Sequence, residues 1–100
     1  MKGFALVIPT DGSPPEKRVF DRLDEHEFLA WLKQCVGGYI EAIPGVDTAL
    51  GFPAVAFANE DGLRLNLPPN LLATSMLKQR QVLVGTVVIL FGDDEFMDAL

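Results

Sequence analysis

The side chains able to do chemistry are few in this sequence of 100 residues. One histidine, His26, and one cysteine, Cys35, fall on the same predicted helix. A separation of nine residues there is about 13 Å of helical rise, too far for a Cys-His pair, and neither residue has the companions of a Ser-His-Asp arrangement. Asp93-Asp94-Glu95 offers oxygen ligands for a hard cation such as Mg²⁺, but no Asp-x-Asp-x-Asp-Gly loop and no second acidic cluster supports it. Glu25 and Glu27 suit the positive end of a helix. Gly37-Gly38 has the composition of a phosphate loop in the wrong order, because a helix ends there and a strand begins, whereas phosphate loops run from strand into helix. Asn70 heads a helix in an acid-free segment and could face an anion, although a plain helix cap explains it more simply. The residues therefore assign no catalytic group, no metal ligand and no cofactor, and from them alone no activity follows.

Composition narrows the setting. Half the chain is apolar, enough for one core without disulfides or metal. The glycines and prolines cluster between apolar runs as turn punctuation, with no repeat and no linker. A lone cysteine makes no internal disulfide and fits a reducing cytoplasm. The apolar stretch before Pro9 is too short for a signal peptide, and Val82 to Phe91 is about half the length of a membrane helix. The formal charge of −6 raises the possibility of a nucleic-acid mimic, yet Asp93, Asp94, Glu95 and Asp98 gather at one end while Leu63 to Gly92 holds Arg64, Lys78 and Arg80 and no acid. That distribution reads as a solvated acidic tail over 93–100 following one compact domain over 1–92. Three scattered cations and core-placed aromatics also disfavour nucleic-acid binding.

The elements follow from the spacing. Phe4 to Ile8 reads as a strand covered on both faces, and Lys17 to Asp21 as an edge strand after the Asp11-to-Pro15 turn. Such an edge could pair with its copy, so monomer and homodimer both stand. Asp24 and Glu27 form a capping box, with Leu23 stapling onto Phe28. Phe28, Trp31, Leu32 and Cys35 then make one apolar stripe, and Gly37 stops the helix, which spans about 24–36. Tyr39 to Ile43 is a strand with Tyr39, Glu41 and Ile43 on one face. Ala54 to Ala58 is the next, and Asp61-Gly62 predicts a tight turn into a strand over Leu63 to Asn66. Asn70 caps a short helix over about 71–78, with Leu72 and Met76 facing inward. A long strand from Gln81 to Phe91 closes the list, with Gly85 as a bulge or close approach. The class is α+β: a mixed or mainly antiparallel sheet of four to six strands carrying one main and one short helix.

Several segments, taken in order, carry a resemblance: the opening strand to Pro9, Gly12 to Pro15, Val36-Gly37-Gly38-Tyr39-Ile40-Glu41, Asn59-Glu60-Asp61-Gly62, Leu67-Pro68-Pro69-Asn70 with Ala73-Thr74, and Val84 to Val88. Together they resemble a family of small uncharacterised domains found in phages and actinobacteria. The chain departs from that pattern in its Leu50-to-Ala54 loop and its acidic tail. The resemblance implies a phage or mobile-element origin and a cytoplasmic setting, and it transfers no activity. Three functions are compatible with it. The first is a non-enzymatic accessory protein that binds a host or phage macromolecule. The second is a small-ligand, nucleotide-type binding protein using Tyr39, Glu41, Asn59, Asn70 and Thr74. The third is a metal-dependent hydrolase built on the C-terminal acids.

Overall fold

The computed structural model describes residues 1–100. Its centre is a five-stranded antiparallel sheet in the order β2-β1-β7-β6-β3, formed by β1 (Gly3–Ile8), β2 (Glu16–Phe20), β3 (Ile40–Ala42), β6 (Val55–Asn59) and β7 (Val87–Gly92). A separate two-stranded hairpin joins β4 (Thr48–Ala49) to β5 (Phe52–Pro53), and the helices are α1 (Glu25–Val36), α2 (Leu71–Met76) and α3 (Asp94–Asp98). The α+β class expected from the sequence is the class found. β1 joins β2 on its outer side and β7 on its inner side, which puts the Lys17-bearing strand at the edge as expected.

β7 lies in the middle and explains its own composition. Val87 to Phe91 are all buried because both faces of the sheet are covered, so the strand has no polar alternation. On one face Ala5, Val88, Leu90 and Phe20 meet Leu32 and Val36 of α1 and Phe96 of α3. On the other, Ile8, Val87, Ile89 and Phe91 meet Ala73 and Leu77 of the α2 segment and Ala49 of the hairpin. β6 and the residue before it present Ala54, Ala56 and Ala58 to this second layer, and these small side chains leave room for it. α1 begins as the sequence predicts, with the Asp24 carboxylate accepting from the Glu27 N–H at 3.1 Å, and stops at Gly37 in the left-handed conformation.

Four local expectations fail, each for an identifiable reason. Leu63 to Asn66 is not a strand: the Asn59 side chain captures the Asp61 N–H at 2.8 Å, and residues 60–66 then coil through successive turns. Met76 packs against the core as expected, but Leu72 is exposed, and the buried residues of this segment are Ala73 and Leu77. The last strand starts at Val87, because Gly85 sits at φ 77° outside the ladder and gives its N–H to the Pro68 carbonyl at 2.7 Å. Gln81 to Thr86 is consequently an irregular segment whose one ladder-type pairing is an isolated bridge between Val84 and Pro69, while Leu83 packs against the core.

The fourth concerns the segment after Gly92, whose acids are exposed but which is anchored as the short helix α3. Asp93 caps α3 by accepting from the Phe96 N–H at 2.9 Å, and a second of its oxygens accepts from the Lys2 N–H at 2.8 Å. The Phe96 N–H chiefly holds the Asp93 carboxyl below its ordinary range; desolvation opposes it, and the Lys2 N–H and the nearby amino group assist. Phe96 itself is fully buried. Its ring lies over Gly3 and Gly92, which face each other across the β1–β7 ladder. A Cβ at Gly3 would stand 2.5 Å from the ring. The acids therefore decorate a helix whose apolar residue plugs a slot that only a glycine pair leaves open.

Replacement of Phe96 by Ala is expected to destabilise the fold by about 3–5 kcal/mol. Gly3→Ala should be costly alone and much less so in the Phe96→Ala background, since the atom it strikes has gone. Urea unfolding of the two single variants and the double variant measures this coupling; strictly additive costs would show that the ring does not occupy the glycine slot.

Candidate functional site

Two asparagines that the sequence marks as candidate ligands are structural clamps. Asn59, at the end of β6, is nearly buried. Its side-chain amide donates to the Val36 carbonyl at 3.0 Å, one of the carbonyls left open at the end of α1, while its oxygen holds the Asp61 N–H. Gly38 makes space for it, because a Cβ there would lie 2.9 Å from Nδ2. The Val36-Gly37-Gly38 and Asn59-Glu60-Asp61-Gly62 segments are thus two halves of one joint between helix and sheet.

Asn70 makes the second clamp. Its amide donates to Ile8 O and to Gly85 O, both at 2.9 Å, and its oxygen accepts from the Ala73 N–H at 3.1 Å, capping α2. The backbone adds to this, with Asn70 N–H on the Leu83 carbonyl at 2.7 Å. Thr74 donates its hydroxyl proton to the Asn70 carbonyl at 2.7 Å, and the same oxygen accepts from the Leu83 N–H at 2.9 Å. No buried side-chain nitrogen or oxygen of either clamp lacks a hydrogen-bond partner within the protein.

Between the clamps runs a groove of about 250 Å³. Ile43, just after β3, and Ala58 of β6 form its floor; Leu63 comes from the coil held by Asn59, and Gln79, Gln81 and Val82 from the segment held by Asn70 and Thr74. Glu41 and Glu60 line it, no lysine or arginine does, and neither carboxylate belongs to any of the three ion pairs of the molecule. Leu63 is 81% exposed and Val82 50%. The groove therefore combines an apolar lip and floor with two unpaired carboxylates and the carboxamides of Asn59, Gln79 and Gln81. Such a lining suits a ligand with an apolar body and a cationic group.

Of the five residues proposed from the sequence, the groove gathers Glu41 and Asn59. Tyr39 lies before β3 begins, exposed, with the Lys33 ammonium 5.2 Å from its ring centroid, so it sits beside α1 and away from the groove. Asn70 and Thr74 act one step removed, by holding the Gln79–Val84 wall. Leu63, Gln81 and Val82 escape the sequence reading because strands are expected there, and Gln79 because it falls in the short connection expected between helix and strand. The pairing of Pro68-Pro69 with Gly85-Thr86 was the available signal that the chain leaves the sheet between them.

The remaining chemistry-bearing groups do not assemble. His26 is exposed on the first turn of α1. Burial pushes the Cys35 thiol above its ordinary range, with Arg18 opposing and Glu16 assisting that shift, so it is a half-buried packing residue beneath the sheet. No three residues among His, Cys, Asp and Glu converge on a point where a metal ion could sit. No helix is long and apolar enough to cross a membrane.

Residues 1–99 match the model of the family described as Domain of unknown function (DUF3846), and the chain belongs to that family. Comparison with curated proteins and with solved structures returned no match.

Asn70→Asp is expected to keep the cap oxygen while turning a carboxylate toward the Ile8 and Gly85 carbonyls. The predicted loss is about 3 kcal/mol at neutral pH, from two lost donations and the acceptors left facing a charge. Lowering the pH into the carboxyl range returns a proton to donate and should recover part of that loss relative to wild type. Chemical denaturation at both pH values checks this; equal stability of variant and wild type at neutral pH would remove the clamp role.

Proposed function

We propose that this member of the DUF3846 family is a small non-enzymatic accessory protein that binds a macromolecule of a host or of a phage, and that the groove between the two asparagine clamps is where it does so. The observation that carries the reading is the groove's lining: unpaired Glu41 and Glu60 beside the exposed Leu63 and Val82. Exposed apolar residues rimmed by polar ones mark interaction surfaces, and unpaired carboxylates beside them select a basic partner. The phage or mobile-element setting and the cytoplasmic location rest on the sequence resemblance alone.

A second reading, a small-ligand binding protein, finds support at a different place. A cavity of about 260 Å³ is lined by Phe4, Phe52, Pro53, Phe91 and Gly92. Phe4 and Phe91 stack there at 4.9 Å between centroids, and Phe52 stands 64% exposed at the lip. A planar ring such as a nucleobase suits such walls. A nucleotide panel that leaves the melting temperature unchanged would exclude it. The hydrolase reading has the weakest support, since Asp93 caps α3 and both Asp93 and Glu95 lie against the Met1 amino group.

The groove reading is tested with purified protein as bait in lysate of the source cells. Wild type should retain a stoichiometric partner, and Leu63→Asp and Glu60→Lys should each retain about tenfold less with unchanged melting temperature. Equal retention by wild type and both variants places the interaction elsewhere, and no retained partner counts against the reading as a whole.

A further inference from the structure

The edge of the sheet beside the groove is open. β3 pairs with β6 alone, in the register Ile40 to Asn59, Glu41 to Ala58 and Ala42 to Phe57. Tyr39 O accepts from Glu60 N–H and Ile43 N–H donates to Ala56 O, so the odd-numbered residues direct their backbone groups toward β6. By the alternation of an antiparallel ladder, the N–H and C=O of Ile40 and Ala42 point outward. No other strand borders them. The opposite edge differs: β2 carries Glu16, Lys17 and Arg18, with Lys17 over the Phe4 ring and Arg18 between Phe20 and Trp31. Charged residues of this kind protect an edge against strand addition. β3 carries no lysine, arginine or proline, and Ala42 at its end is exposed.

We propose that the exposed edge of β3 receives an extended peptide strand from a protein partner, with a lysine or arginine of that strand set opposite Glu41 and reaching over the groove. This rests on the protein-binding reading above. An added antiparallel strand bonds to Ile40 and Ala42. The residue it sets opposite Glu41 then stands at a position without direct hydrogen bonds, where side chains approach most closely. Opposite charges in such cross-strand pairs stabilise and like charges destabilise. Glu41 therefore selects a cation, and Glu60 supplies a second carboxylate for it. The same rule argues against a second copy pairing through β3 about a two-fold axis centred on Glu41, since that axis sets two glutamates against each other.

The test uses the full chain, isotopically labelled, and short blocked peptides of alternating threonine and valine with lysine or glutamate at the centre. The lysine peptide is expected to slow amide exchange at Ile40 and Ala42 and to bind about fivefold more tightly than the glutamate peptide. Glu41→Lys should reverse that preference. Unchanged exchange at Ile40 and Ala42 under saturating lysine peptide, equal affinity for the two peptides, or protection appearing on β2 instead would each overturn the proposal. The two readings separate cleanly. A cellular partner that depends on Leu63 and Glu60 while the Ile40 and Ala42 amides stay free upholds the groove and removes strand addition. Retention indifferent to Leu63 and Glu60 removes the groove itself.

Discussion

One buried side chain amide holds three parts of this protein together. Asn70 joins the end of β1 through Ile8, the return into β7 through Gly85 and the start of α2 through Ala73. Each of these backbone groups is lost to regular pairing: Ile8 ends its strand, Gly85 lies outside the ladder, and Ala73 is in the first turn of a helix. A buried peptide group without a partner costs about 1–3 kcal/mol, so an excursion from Leu67 to Thr86 across a covered sheet is tolerable only if something satisfies those groups together. Asparagine suits the task because it carries both donors and an acceptor on a short stem. Aspartate or leucine of the same size would leave carbonyls or an N–H open.

Asn59 solves the same problem at the other side of the groove. It lies on the face of the sheet that carries α1, closes the C-terminal end of that helix, and forces the chain after β6 into turns. The two walls of the groove are therefore each fixed by an amide buried behind them. This arrangement lets the exposed residues of the groove, Leu63, Gln79, Gln81 and Val82, vary in type without loss of the scaffold. The segments that carry the family resemblance include both clamps and their glycine spaces together with Glu41 and Glu60 of the groove, whereas Leu63, Gln79, Gln81 and Val82 lie outside them.

The sequence was legible where local rules act alone. The capping of α1, its apolar stripe, its left-handed stop and the edge position of β2 all follow from spacing and residue type. It was illegible where a side chain from elsewhere overrides a local preference. Asp61-Gly62 reads as a hairpin turn until Asn59 takes the Asp61 N–H, and Gln81 to Phe91 reads as one strand until Pro68 takes the Gly85 N–H. The acids after Gly92 mislead for a related reason. Their charge suggests solvent, but the deciding residue is Phe96, and its slot exists only because Gly3 is brought beside Gly92 from the far end of the chain. Glu41 was legible as a surface residue from strand alternation, and its companion Glu60 was not.

The place of β7 in the sheet governs the order in which the protein can assemble. β2 with β1, and β3 with β6, are two antiparallel pairs that share no hydrogen-bonded neighbour except β7, the last strand in the chain. Until it enters, the two pairs remain separate half-sheets with exposed inner edges, and neither hydrophobic layer is complete. Insertion of β7 creates both layers at once, and the Phe96 ring then bolts its last residue to the first strand. Nearly all the cooperativity of folding is thereby postponed to contacts of high sequence separation, which are the slow ones to form. A ribosome-bound chain lacking its final segment is consequently the state in which this protein is most open to pairing with the wrong strand.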